Sequence, residues 1–335
     1  MAEAEQRYND QTGQTSEDKT GQTRQTSEDK TGQTRQTDLL PSFSQILGSS
    51  WQIYRLKIKA LIGITLIPVL ASLFFVIIAL LCVALFSALG VVTGGAYTSI
   101  IVVIAIVLGL IAVIALLYLA FWGQIALLYN IGSGEAIGAV ESYKKTKGKI
   151  WDFAWIACLV GLIELCGYLL LLVPGIIFSI WFSFATIVFL FENEKGMNAL
   201  LKSREYVRGK WWNVLILLWA MSGLFLLLSW TFSFLGDGLK AANSHEAIQL
   251  LFGFVEQTAL FILAPLQTVF VYQTFKSLKA VKPEMVFTPS KRTRTAAIIT
   301  CVLGGLVLVA LIALAVIGIA ALSQTGIGLE ALFNQ

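Results

Sequence analysis

Seven long apolar runs leave this chain few ways to fold. They cover approximately residues 60–89, 98–122, 152–172, 176–191, 212–235, 249–275 and 295–322, and all but the fourth are 20 residues or longer. At 1.5 Å of rise per residue, about 20 apolar residues cross a bilayer core of roughly 30 Å as a helix. Composition agrees: 57% of the 335 residues are hydrophobic and only 13% are charged, where a soluble domain carries about 25%. The expected fold class is therefore all-α, a polytopic membrane helix bundle of about seven transmembrane helices. Three interfacial amphipathic helices are expected beside them.

The stretch Val173–Val214 shows the organisation best. A Pro174-Gly175 turn precedes an uncharged run, Ile176–Phe191, which the acidic Glu192-Asn193-Glu194 ends. A helix lasting about 16 residues is about 25 Å long, so its flanks must help it across. The turn sits among Leu171, Leu172, Val173 and Ile176, and is expected to be covered by neighbouring segments. Met197–Lys210 then reads as a short helix with Leu200, Ser203, Val207 and Trp211 on one face. Asn198, Lys202, Glu205 and Arg208 occupy the other, the pattern of a helix lying in the headgroup plane. Trp211-Trp212 marks the depth at which the chain re-enters the bilayer.

Two other stretches share this design. Glu135–Trp151 ends like Met197–Lys210: Ser142 and Ser203 each precede a glycine by six residues, and Gly148-Lys149-Ile150-Trp151 parallels Gly209-Lys210-Trp211-Trp212. Leu39–Lys59 is a looser copy, with Ser50 ahead of Leu56-Lys57-Ile58. Residues 39–282 thus read as a six-span membrane domain of three helix-plus-hairpin modules. Residues 283–335 add a basic linker, a seventh span and a short tail. Residues 1–38 form a polar tail in which Gln14–Arg24 recurs as Gln25–Arg35, an 11-residue repeat without an apolar residue. Such a segment cannot bury enough surface to fold and is expected to be disordered.

Charge sets the expected orientation. With the N-terminus inside, 23 of the 24 Lys and Arg residues fall on the inner side, and Lys240 alone lies outside. The positive-inside rule then gives a cytoplasmic N-terminus and an outer C-terminus in a bacterial cytoplasmic membrane.

Chemistry is harder to find. The single histidine, His245, stands in an outer loop without a nucleophile nearby, and no His/Cys/Asp cluster has the spacing of a metal site. Cys82, Cys158, Cys166 and Cys301 all fall in apolar runs and read as small buried hydrophobes. No catalytic residue, cofactor, metal or nucleic-acid partner is expected. Two carboxylates stand within spans, Glu164 and Glu256. Glu164 shares a helical stripe with Ala157, Gly161 and Tyr168. Glu256 shares one with Gly253, Leu260, Leu263 and Gln267. Glu164, Glu256 and Gln267 form a candidate intramembrane polar site, for a proton, cation or headgroup, or else serve as interhelical hydrogen-bond partners. The basic, Trp-bearing residues Lys149, Trp151, Lys202, Arg208, Lys210, Trp211 and Trp212 form the candidate lipid-facing set, with anionic membrane lipids as partners.

Pro174, Gly175, Glu192, Gly196, Ala199, Leu200, Ser203, Gly209, Trp211 and Trp212 together resemble a pattern in a broad group of bacterial multi-pass membrane proteins. That group includes the membrane domain found in some glycerophosphoryl diester phosphodiesterases. The resemblance covers roughly Leu39–Lys282 and implies a six-span core. In those phosphodiesterases the catalytic part is a separate soluble barrel with metal-binding His and Glu residues. This chain has no room for one, so the resemblance does not carry the hydrolase activity. The expected function is a non-enzymatic lipid-interacting or scaffolding protein. The alternative is a small transporter or channel-like protein using its intramembrane carboxylates.

Overall fold

The computed structural model describes residues 40–92, 98–135, 137–241, 245–282, 287 and 291–324. The tandem repeat, the centre of the glycine-rich link after the first span, and the last residues of the tail lie outside them. Among the described residues every element is helical, and seven helices are long and apolar enough to cross a membrane, the architecture of a multi-pass membrane protein.

In chain order the helices are α1 (Phe43–Val92), α2 (Thr98–Gly132), α3 (Ala139–Thr146), α4 (Ile150–Leu170) and α5 (Leu172–Phe182). Then follow α6 (Ala185–Glu192), α7 (Met197–Val207), α8 (Trp211–Ala241), α9 (Glu246–Val281) and α10 (Lys291–Gln324). α1 packs on α2 and α9, α4 on α5 and α10, and α8 on α9.

Burial is concentrated at one end of the bundle. Beyond Ile64, α1 has no buried residue among those described, and α9 has none before Pro265. The other end exposes large apolar side chains, such as Leu80, Phe234 and Leu250. In hydrocarbon that exposure costs nothing, so the outer halves of these helices need no protein neighbours. The buried end holds two packed clusters. One gathers Phe153, Ile156, Phe184, Leu200 and Phe275. The other gathers Tyr54, Leu61, Ile64, Tyr143 and Phe270. Lys57, Lys202, Lys279 and Lys282 also lie at this end, each bonded to groups of the buried half, and it is called the basic end below.

Four details differ from the sequence reading. First, Leu39–Lys59 is not set off from its span, because α1 runs unbroken from Phe43 to Val92. The two parallel stretches break where they carry glycine: a 3₁₀ turn at Lys147–Lys149 around Gly148, and Arg208–Lys210 around Gly209 at φ +81°. The first stretch has Leu56 at that position, a good helix former that gives no reason to stop. Second, Pro174 and Gly175 do not form the turn between the third and fourth spans. They sit in the first turn of α5, where proline is tolerated, and the link is Leu171 alone, in an extended conformation.

Third, that link is not covered: Leu171, Leu172 and Val173 are all exposed. Its backbone is satisfied locally instead, with Leu171 N–H donating to the Gly167 carbonyl at 3.1 Å and Gly175 N–H to the Leu171 carbonyl at 3.4 Å. Gly167 and Gly175 allow the close crossing, since a Cβ on Gly167 would lie 2.9 Å from the Gly175 Cα. Fourth, the fourth span is two helices, interrupted at Ser183-Phe184 between α5 and α6.

Candidate functional site

The helix expected to lie on the membrane surface is instead docked into the basic end. Ala199, Leu200, Leu201, Ser203, Tyr206 and Val207 of α7 are buried, against α5 and α6. An acidic C-terminus on α6 draws α7 in. Asn193 closes α6 in the left-handed conformation at φ 55°, which asparagine tolerates better than most residues. The Glu192 carboxylate, with its side chain only 7% exposed, then receives Lys202 Nζ at 3.0 Å and Lys279 Nζ at 2.5 Å. It also accepts the Tyr206 hydroxyl at 2.8 Å, and Lys202 reaches Glu194 at 3.2 Å.

This is a correction for Lys202, which does not face lipid. Burial pulls its ammonium down, but the Glu192 and Glu194 carboxylates outweigh that and hold its pKa above the ordinary lysine value. Burial, and then Glu192, push the Tyr206 hydroxyl up, so it remains a donor. Lys282 closes the other end of α7, donating to the carbonyls of Glu205, Tyr206 and Arg208, the groups a helix C-terminus leaves unpaired. Lys57 does the same for α2, donating to the carbonyls of Asn130 and Ser133.

The three aligned serines, Ser50, Ser142 and Ser203, are all fully buried. Ser203 bridges the interrupted fourth span, donating to the Trp181 carbonyl at 2.7 Å and accepting from Phe184 N–H at 3.3 Å. Ser142 accepts from the Asn130 side chain at 3.0 Å, while Ser50 bonds back to the Ile46 carbonyl at 2.7 Å. Because Ser203 serves two backbone groups, Ser203→Ala should cost about 1–3 kcal/mol, the penalty for buried groups left unpaired. Unfolding of the variant in detergent checks this, with Ser50→Ala as the milder control.

Beside α7, a groove of about 630 Å³ runs between α5 and α8. Val173, Ile176, Ile177 and Trp181 form one wall, and Trp211, Trp212, Leu215 and Trp219 the other, with Arg208 and Gly209 at one edge. Arg208 is well exposed, and among the described residues its side chain makes only a 3.3 Å pair with Glu205. Trp212 is exposed and stands edge-on to the half-buried Trp211, ring centroids 4.6 Å apart. Arg204 lies over the Trp181 ring at 4.5 Å. Of the expected lipid-facing set, Arg208, Trp211 and Trp212 therefore come together. Lys210 is half-buried at the same corner, while Lys149 and the exposed Trp151 start α4 elsewhere. Trp219 could have been found in the sequence, since Trp211, Leu215 and Trp219 recur every four residues. The α5 wall could not, because only the packing of α5 beside α8 supplies it.

The three expected intramembrane groups do not converge. Glu256 lines a pocket of about 350 Å³ near the far end, with Asp237 and Lys240 of α8. Gln267 lines a separate cavity of about 240 Å³ nearer the basic end. Glu164 is half-buried on α4 and lines none of these three cavities. Nor do the expected small-residue stripes make the close contacts, because a Cβ on Gly161 or Gly253 would meet nothing within 4 Å. The close approach of α4 to α10 is at Gly304, against the Leu162 carbonyl. Among the described residues no group of three His, Cys, Asp or Glu residues is placed to hold a metal ion. The chain matches no protein-family model, no curated protein and no solved structure.

Proposed function

We propose that this protein is a non-enzymatic lipid-binding protein of a bacterial cytoplasmic membrane, and that it holds an anionic phospholipid at its cytoplasmic face. The observation that carries this reading is the α5–α8 groove, apolar along its length, with four tryptophans and an exposed arginine at its edge. Tryptophan side chains favour the headgroup level, where an acyl chain below and a phosphate above are both within reach. At about 630 Å³ the groove falls within the roughly 300–1,000 Å³ of small-molecule sites. Lys202, Lys279 and Lys282 are spent on internal partners, so Arg208 is the cation best placed for the phosphate. The basic end is then the cytoplasmic end, as the distribution of Lys and Arg favours. A transporter reading built on Glu164, Glu256 and Gln267 has less support, since the three stand apart.

The groove can be read through its own tryptophans. In mixed micelles, brominated anionic phospholipid should quench tryptophan fluorescence more than brominated zwitterionic phospholipid at the same mole fraction. One exposed basic residue is worth about 1 kcal/mol near an anionic surface, so the preference should be roughly fivefold. It should disappear in Arg208→Gln, and added salt should weaken it. Equal quenching of the unaltered protein by the two lipids would refute the proposal.

A further inference from the structure

Positive charge gathers at the headgroup end of the α5–α8 groove beyond what Arg208 alone supplies. Arg204 stands four residues before Arg208, so the two side chains leave α7 on the same side. Arg204 lies over the ring of Trp181, a residue of the groove wall, at 4.5 Å. Among the described residues its guanidinium makes no hydrogen bond or ion pair, so the ring contact orders the group and leaves its N–H donors open. Lys210 and Lys282 stand at the same corner. Burial lowers the Lys282 pKa most, Glu205 offsets part of this, and the nearby charges of Lys210 and Arg208 lower it again. Against these cations the corner sets Glu205, already paired with Arg208, while Glu192 and Glu194 are taken up by Lys202 and Lys279.

A phosphodiester headgroup brings one negative phosphate charge, which one guanidinium can meet. A phosphomonoester has a second pKa of about 6, and above it carries nearly two charges on three terminal oxygens. Two neighbouring guanidiniums suit that group, since each offers a planar fork of donors to phosphate oxygens. On the α8 wall of the groove the indole N–H of Trp211 is buried without an acceptor among the described residues. A buried donor in that state calls for an oxygen-bearing partner. Resting on the lipid-binding reading above, we infer that the groove selects a phosphomonoester lipid, a diacylglycerol phosphate without further headgroup, over phosphodiester lipids. Arg204 and Arg208 hold the phosphate from α7, and an acyl chain runs along the tryptophan-lined groove.

The test uses the full chain in mixed micelles at pH 8 and pH 5, with brominated phosphomonoester, phosphodiester and zwitterionic lipids of the same acyl chains. At pH 8 the monoester should quench tryptophan fluorescence at a mole fraction roughly fivefold lower than the diester, the gain from one further basic residue near an anionic surface. At pH 5, where the monoester carries a single charge, the two should quench alike. That change reports the lipid, because arginine does not titrate in this range and the single histidine, His245, caps α9 at the far end. Arg204→Gln should bring the monoester down to the diester at pH 8. Lys147→Gln, which removes an exposed cation outside the groove, should keep the fivefold difference. Excess soluble glycerol phosphate should not relieve the quenching. Equal quenching by monoester and diester at pH 8, an undiminished preference at pH 5, or relief by glycerol phosphate would overturn the inference, while a diester that still outdoes the zwitterionic lipid would keep the lipid-binding reading. Equal quenching by all three lipids would remove both.

Discussion

Replacing Glu192 by alanine should destabilise the protein by about 2–3 kcal/mol. Removing one partner of a buried ion pair costs roughly 3–5 kcal/mol, because the remaining charge is left uncompensated. The figure is set lower here because Lys279 is half exposed and Lys202 keeps Glu194. Three bonds to one carboxylate are lost together, and the Tyr206 hydroxyl is left without its acceptor. The loss should appear as a lower midpoint of unfolding in detergent. The double variant Glu192→Leu with Lys202→Met should recover most of it, since an apolar pair of similar size avoids the desolvation cost. A single variant as stable as the parent would mean that α7 is held by apolar burial alone. The pH dependence has a definite sign. Because the Lys202 pKa is raised in the folded state, its contribution is complete below the ordinary lysine value and is lost as pH rises through the raised one.

Gly304→Leu is expected to push α10 off α4. A Cβ at this position would lie 2.1 Å from the Leu162 carbonyl oxygen and 2.9 Å from its carbon. These are backbone atoms in the middle of a helix, so they cannot swing aside as a side chain would. Overpacking generally costs about 1–3 kcal/mol when the surroundings adjust. Here the cheapest adjustment is for the whole of α10 to move away. Cys166 reports the outcome, because it is 3% exposed and its Cβ lies 3.4 Å from that same position. With the other three cysteines replaced, Cys166 should be protected from a membrane-permeant thiol reagent in the parent and labelled in the variant. Continued protection would show that α10 can shift along α4 without leaving it.

The cavity beside Gln267 and the α5–α8 groove show where sequence reading stops. Gln124, the Ser183–Thr186 pair and Gln267 come from three distant segments, and a lone glutamine in an apolar run carries no signal about its neighbours. Gln267 was identifiable as an intramembrane polar residue, but its partners were not. The carboxylates Glu164 and Glu256 drew attention for their charge, yet packing leaves them apart. Lys202 looked like a surface cation because alternate helix faces differ in polarity. The same amphipathic pattern serves a helix docked on a protein interior, with its polar edge satisfied by acidic partners.

The sequence by itself determined the helical class and the seven apolar segments. Both follow from local rules: hydrocarbon admits only backbone that satisfies its own hydrogen bonds, and length sets what can cross. The breaks at Gly148 and Gly209 follow from the same kind of local rule, because glycine acts on its own backbone, although the sequence reading ran both helices through them. Tertiary structure alone decided that α7 sits inside the basic end, that Glu192 gathers Lys202, Tyr206 and Lys279, and that α5 meets α8 in a groove. Those outcomes depend on which helices pack side by side, and in a membrane apolar side chains are as well solvated by lipid as by protein. Hydrophobicity therefore chooses no neighbours there, and the choice falls to close glycine contacts and to polar groups that must find partners.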